Sequence, residues 1–468
     1  MAEQAAASTV SNGTRVHFRR LILLAIFATP GLAQAQSAAG SSDTSLTYKG
    51  ITLYGTVDIG LQYQTHGAPI SDYFPGGSAD IVQKNSNQSV FGVTPSNMSQ
   101  SRIGLQGVEP IAGDWSGVFK LETFFDPQSG EISDALKSLT QNNGRALSAQ
   151  NTNVDSSVAG QIFQQSYLGF SSPTLGTLTF GRQNTLLADG ILKYDPNYAS
   201  QAFSLIGLSG TAAGGGDTED RRLDESLKYV ASYGQAVHVG LQYKFNQATS
   251  AANTVIEADI GGEYAGASLD AYYVKAKDAI AVTALSAAQV TLLPTTGFAL
   301  NNSLSATVSD NTTFGVLGLY DMGTPKLFFG YEHIRFANPS TPLPVGFDDI
   351  GGYKLAFVND AAFPTDKILQ VYWAGIKYTV IPQLDLTAAY YGYHQNSYGN
   401  GANAGCSGVQ SATCSGTLAA FSIDADYRLT KRFDAYAGIM YTAVHDGLAS
   451  GYLHSTDMNP TVGIRNKF

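Results

Sequence analysis

Thr461-Val462-Gly463-Ile464-Arg465-Asn466-Lys467-Phe468 closes the sequence, and its side chains alternate in character. In an extended strand Val462, Ile464 and Phe468 share one face, while Thr461, Gly463, Arg465 and Lys467 share the other. Most domain termini fray, so a terminal strand with a clean apolar face needs both a pleated partner and an apolar surrounding. Two readings follow: the closing strand of a membrane barrel, or the last strand of a soluble sandwich.

The opposite end favours the first reading. Arg15, Arg19 and Arg20 precede an apolar stretch from Leu21 to Thr29, then Pro30, Gly31 and an A-x-A site at Ala33, Gln34 and Ala35. This is the anatomy of a secretory signal, and its apolar stretch is too short to span a bilayer as a helix. Cleavage between Ala35 and Gln36 is expected, which makes 1–35 a signal peptide and 36–468 a single exported domain. The stretch before Arg15 is longer than a leader needs, so a start downstream of Met1 stays open.

Composition narrows the class of exported protein. Only 14% of residues are charged, hydrophobic residues make up 44%, and there are 50 Gly, 26 Tyr, 23 Phe and 2 Cys. Mean hydropathy is −0.05. Beyond the leader no long uninterrupted apolar run exists, which excludes a transmembrane helix. A transmembrane barrel sets half of each strand in lipid and half in water, so the two averages cancel in any window. Net charge is −10; the leader contributes +2 (three Arg against Glu3), leaving −12 on the remainder. That sign argues against a nucleic-acid partner. Acidic outer loops suit contact with divalent cations and lipopolysaccharide, or simple solvation.

Period-two patterning recurs along the chain. In Val237 to Phe245 the apolar set is Val237, Val239, Leu241, Tyr243 and Phe245, against His238, Gly240, Gln242 and Lys244. Phe421 to Leu429 repeats it, with Ser422, Asp424, Asp426 and Arg428 on the wet side. Connections alternate between two classes. Short turns are expected at Glu109 to Asp114, Ser171 to Gly176, Gly234 to Gln235, Ala265 to Gly266, Gly323 to Pro325, Ile381 to Gln383 and Thr430 to Arg432. Long polar segments separate them, including Thr65 to Gln100, Pro127 to Gln161, Asn184 to Glu225, Lys277 to Asp310, Ala337 to Lys367, Asn396 to Gly416 and His445 to Met458. This rhythm predicts an all-β transmembrane antiparallel barrel with one plain rim and one elaborated rim. Ile51 to Tyr63 must pair with the terminal strand, because no edge is tolerated in lipid. The count comes to about sixteen strands, a size that encloses an aqueous channel.

Taken in order, ITLYGTVDIG (51–60), SRIGLQGVE (101–109), VFKLETFF (118–125), QSYLGFSSPTLGTLTFGRQ (165–183), RLDESLKYVASYG (222–234) and the terminal VGIRNKF resemble successive strands of Gram-negative general porins. The resemblance implies a homotrimer in the outer membrane, with no cofactor, passing ions and small hydrophilic solutes. It also implies that the third outer loop, 184–225, folds into the lumen and sets acids across the pore from a basic ladder. A terminal Phe468 resembles the signal read by the barrel insertion machinery. Opposed charges across a narrow passage would orient dipolar solutes and select ions by sign.

Parity assigns the candidate constriction. Arg102, Lys120, Glu122 and Lys228 alternate with lipid-facing neighbours and face inward, and Arg222 follows by extrapolation. Arg102 and Arg222 match the family's wall arginines. Gln164 stands where the family commonly has Arg. Arg182 is in phase with Leu178 and Phe180, which aims it at lipid unless the chain bends there. The loop supplies Asp189, Asp195, Asp217, Glu219 and Asp220 but lacks the Pro-Glu-Phe-Gly run of many relatives.

An outer-membrane hydrolase would need a Ser or Asp nucleophile beside a His base. None of the strand histidines His238, His333 and His394 lies in such a constellation, and no metal-ligand spacing stands out; the reading is a channel rather than an enzyme. Cys406 and Cys414 share one outer loop in an oxidising compartment, where a local disulfide is expected. Two alternatives stay open: a solute-specific channel, for which Tyr54, Tyr272, Tyr391 and Tyr393 are candidate lining groups, and a surface receptor or adhesin.

Overall fold

The computed structural model describes residues 46–66, 89–133, 139–146, 162–209, 222–234, 236–245, 254–348, 354–399, 411–450 and 454–468. The signal segment with Ala35 and Gln36, the loop acids Asp217, Glu219 and Asp220, and Cys406 lie outside them.

Sixteen antiparallel strands form a closed barrel. The first eight are β1 (Ile51–Gln64), β2 (Arg102–Ala112), β3 (Trp115–Asp126), β4 (Gln165–Ser172), β5 (Gly176–Asn184), β6 (Arg222–Tyr233), β7 (Val237–Lys244) and β8 (Thr254–Tyr264). They continue as β9 (Ala267–Thr283), β10 (Ser303–Asp321), β11 (Lys326–Ala337), β12 (Lys367–Ile381), β13 (Leu384–Gln395), β14 (Gly416–Arg428), β15 (Phe433–Asp446) and β16 (Thr456–Lys467). Each pairs with the next, and β16 returns to β1 with Lys467 opposite Thr56 and Thr461 opposite Gln62. Short pieces at Thr47–Tyr48, Val90–Pro95, Glu131–Ile132 and Lys354–Asn359 pair onto wall strands.

The alternation read from sequence becomes two faces. Leu168, Leu241, Ile260, Phe314, Phe421 and Val462 are each at least 50% exposed, whereas Gln242, Thr313, Ser422, Asp424 and Thr461 between such neighbours are buried. Apolar side chains pointing outward with polar ones inward invert the plan of a soluble protein and require lipid outside. Among the described residues no helix is long and apolar enough to cross a membrane; the crossing is made by strands. A slip of one residue in any ladder would exchange the faces, so register is tightly specified.

Pairing at the seam runs to the last residue. The Gly55 N–H donates to the Phe468 carbonyl at 2.9 Å, and the Phe468 N–H donates to the Gly55 carbonyl at 3.0 Å. The Phe468 ring lies over Gly55, where a Cβ would meet Phe468 Cζ at 2.4 Å. Only glycine leaves space for that ring. On the inner face Arg465 Nη2 reaches Asp426 and Asp434, each at 2.8 Å, and Lys467 Nζ sits 3.0 Å from Asp434.

The structure corrects two expected loops. Lys277 to Asp310 is not all loop: β9 continues to Thr283 and β10 begins at Ser303, across a register shift between Ala276 and Ala279. Leu304, Ala306 and Val308 there pack with Leu343, Phe347 and Leu355, and that apolar support extends the hairpin above its neighbours. Thr65 to Gln100 likewise includes Val90–Pro95, which pairs with Ile59–Gln64. The turn after it is tied to β1 by Asp58, whose Oδ2 accepts from the backbone N–H groups of Met98 at 3.0 Å and Ser99 at 2.9 Å.

Candidate functional site

Glu122 on β3 is the hub of a cluster on the inner face of β1 to β4. It is buried and accepts from Tyr54 O–H at 3.0 Å and from Gln165 Nε2 at 2.9 Å. Arg102 Nε and Lys120 Nζ each lie 3.7 Å from its Oε2. Strand pairing explains the convergence: Gly104 stands opposite Glu122 and Tyr54 opposite Gly104, so Tyr54 leans over that glycine toward the carboxylate, while Gln165 pairs with Glu122 directly. Arg222 stacks over Phe124 at 4.6 Å, one inward position beyond Glu122. Around one carboxylate stand three cations, Arg102, Lys120 and Arg222.

The segment after β5 is built differently. Thr185 caps helix α1 (Leu186–Tyr194), its Oγ1 accepting from the Ala188 N–H at 3.0 Å. Leu187, Ile191, Tyr194, Leu205 and Ile206 are buried against Tyr272, Val274, Leu317, Ile334 and Trp373 of β9 to β12. Full burial of each Leu or Ile is worth about 1.5–3 kcal/mol, so this face holds the segment firmly to those strands. Polar ties run along it. Leu186 N–H donates to Glu257 at 2.6 Å, Trp373 Nε1–H to the Tyr194 carbonyl at 3.0 Å, and Tyr194 and Ser268 share a hydroxyl hydrogen bond of 2.6 Å. Farther on, Ser200 Oγ donates to the Asn97 carbonyl at 2.8 Å. Val274, Leu317, Ile334 and Trp373 are therefore apolar in strand positions where parity predicts polar groups, and they pack with the segment.

The predicted loop acids separate in role. Asp189 is exposed and pairs with Lys228 at 2.6 Å. Asp195 is fully buried, accepting from Tyr391 O–H at 2.6 Å and from the Ala199 N–H at 2.7 Å. Burial raises its carboxyl above the ordinary range, and burial also pushes the neighbouring Tyr194 phenol up to about 12. Asp195 therefore anchors the segment to the wall rather than facing a passage.

Arg182 also departs from simple parity. The ladder shifts between Gly181 and Gln183, and Arg182 is largely buried with its Nη1 donating to Asp224. That bulge supplies the bend which keeps the guanidinium from lipid. Gln164 is buried beside the cluster and donates its N–H to the Glu122 carbonyl at 2.7 Å. Cys414 is disulfide-bonded. Sequence reading overlooked Tyr54 and Gln165 as partners of Glu122; the inward phase of Tyr54 was the available signal.

A family model for Gram-negative porins matches residues 21–447. The chain belongs to the Gram-negative porin family. Similar curated proteins include an outer membrane porin of Bordetella pertussis, 26% identical over 216 residues, covering 46% of this porin and 48% of that protein. Outer membrane porin protein 32 of Delftia acidovorans is 24% identical over 249 residues, covering 53% and 54%. The porin thus spans about half the length of the curated relatives it matches. Among solved structures, the anion-selective porin from Comamonas acidovorans superposes with a TM-score of 0.56 at 17% identity, covering 89% of this porin and 99% of that chain. OmpT of Vibrio cholerae gives 0.55 at 14%, covering 91% and 100%. At such identities the likeness is one of fold. The porin is a β-barrel protein of the outer membrane.

Proposed function

We propose that the chain is a passive channel for ions and small hydrophilic solutes, with 184–225 as a constriction folded into the lumen and with a preference for anions. The observation that carries this reading is a cationic cluster on one part of the wall, with a packed segment on another. The α1 segment is anchored along β8 to β13, and β2, β3 and β6 bring Arg102, Lys120 and Arg222 around the carboxylate of Glu122. Of the described loop acids, Asp189 pairs with Lys228 and Asp195 accepts from Tyr391. Arg102 and Lys120 share the one carboxylate of Glu122, and a passage lined by more cations than carboxylates attracts anions and repels cations. The anion-selective relative supports the same sign.

A homotrimer in contact with outer-membrane lipid and lipopolysaccharide belongs to this proposal, supported by the trimer form recorded for OmpT of Vibrio cholerae. So does recognition of Phe468 by the insertion machinery, and an assignment as channel rather than enzyme. Planar-bilayer recording tests the reading. Large open steps, a reversal potential displaced toward the anion in a salt gradient, and no block by millimolar sugars or amino acids are expected. Silence would refute the channel, and saturable block by one solute would replace general diffusion with a specific pathway.

A further inference from the structure

Outside the Glu122 cluster, one group of metal-ligating side chains stands on β7, β8 and β9. His238 and Asp270 both lie in register with Gly261, one on each side of it. Strands two apart are separated by roughly 9.5 Å, yet His238 Nε2 and Asp270 Oδ1 come within 3.2 Å because both side chains lean over that glycine. A Cβ at Gly261 would sit 1.9 Å from Asp270 Oδ1. Asp259, on the same face of β8, brings Oδ2 to 3.6 Å from the same imidazole nitrogen. One ligand atom from each residue lies within 4.8 Å of the others.

We propose that His238, Asp259 and Asp270 form a binding site for a divalent cation of the Zn2+ type. Tetrahedral zinc with ligand bonds of about 2.0–2.2 Å places its ligand atoms about 3.3–3.6 Å apart. The two separations to His238 already match that spacing, and the carboxylates need only a small rotation. The side chains of Asp259 and Asp270 are only 8% and 4% exposed, and Oδ1 of each accepts no hydrogen bond among the described residues. Buried carboxylate oxygens left in that state are costly unless a cation meets them.

The surroundings fit. Tyr272 O–H donates to the other oxygen of Asp270 at 3.0 Å and orients it, as outer partners of metal ligands do. Lys193 of α1 is 2.9 Å from Glu263 and 3.9 Å from Asp270 Oδ2; Lys193 and Glu263 offset each other and leave the two Asp charges to the site. Imidazole with two carboxylates favours Zn2+ over the hard cations Mg2+ and Ca2+. Three protein ligands leave a fourth position open on the side where His238 is partly exposed. Ligands spaced 21 and 11 residues apart on separate strands show no motif, which is why no metal spacing was legible in the sequence.

Crystals of the full chain soaked in Zn2+ should give an anomalous peak within about 2.2 Å of His238 Nε2; absence of a peak there overturns the site. In detergent solution, calorimetric titration with Zn2+ should show saturable binding that H238A and D270N each weaken at least about tenfold, while H333A leaves it unchanged. Undiminished binding by folded H238A also overturns it. If a variant fails to fold, the crystal peak decides. Neither measurement requires conductance, so failure here is separate from failure of the channel reading.

Discussion

Neutralising Arg102 and Arg222 together, as R102Q/R222Q, removes two positive charges from the wall and leaves Lys120 balanced by Glu122. For an ion passing about 7 Å from each guanidinium in water, Coulomb's law gives about 0.6 kcal/mol per charge, or about 1.2 kcal/mol for both. At 0.1 M salt the screening length is about 10 Å, which cuts this to about 0.6 kcal/mol. Anions lose that attraction and cations lose an equal repulsion, so the anion-to-cation permeability ratio should fall about sevenfold. At 1 M salt, where the length is about 3 Å, the same change should be only about 1.5-fold. Reversal potentials of single channels in salt gradients at the two concentrations measure both values. An unchanged ratio would place the arginines away from the ion path, and a shift that persists undiminished at 1 M would show that the effect is steric. Unheated migration of the variant on gels verifies that the barrel is intact.

Deleting Phe468 removes two seam hydrogen bonds and the ring over Gly55, so surface levels should drop sharply while the channels that do assemble conduct normally; normal surface levels would refute a role in assembly. G55V should act similarly, since its side chain would meet the Phe468 ring and the Arg102 carbonyl, 2.7 Å from the position of Cβ. Y391F takes a donor from buried Asp195 and should loosen the α1 segment by about 1.5–3 kcal/mol, seen as increased open-channel noise; a quiet variant would show that the anchor is dispensable. Because burial raises the Asp195 carboxyl, the docked segment binds a proton more readily than the undocked one. Docking is therefore favoured as pH falls and weakened as pH rises through that range, and wild-type noise should lessen on acidification. Thiol titration of the unfolded, unreduced chain should detect no free thiol at Cys414, and reaction there without reductant would refute the disulfide.

Strand parity, turn positions and the pairing of first with last strand were all readable, because a wall with lipid on one side repeats one rule at every residue. Departures arose where a second layer or an extra residue intervened. Val274, Leu317 and Ile334 interrupt the polar row and pack with α1, and no local pattern announces a partner contributed from elsewhere in the chain. Arg182 escapes its phase through a one-residue ladder shift, which alternation cannot anticipate. Asp195 looked like any loop acid until Tyr391, 196 positions away, turned out to hold it. The Glu122 hub was half visible: Lys120 and Arg102 followed from parity, but the reach of Tyr54 to Glu122 depends on the glycine that stands between them.

The seam between Thr56 and Lys467 also governs the order in which this molecule comes into being. A ring whose joint unites the two ends of its sequence has no self-sufficient portion, since any partial arc exposes two unpaired edges to lipid. The ring closes only when its first and last strands meet. Stability here is a property of completion, so damage to a few terminal atoms is expected to cost the protein its existence in the membrane rather than a fraction of its strength.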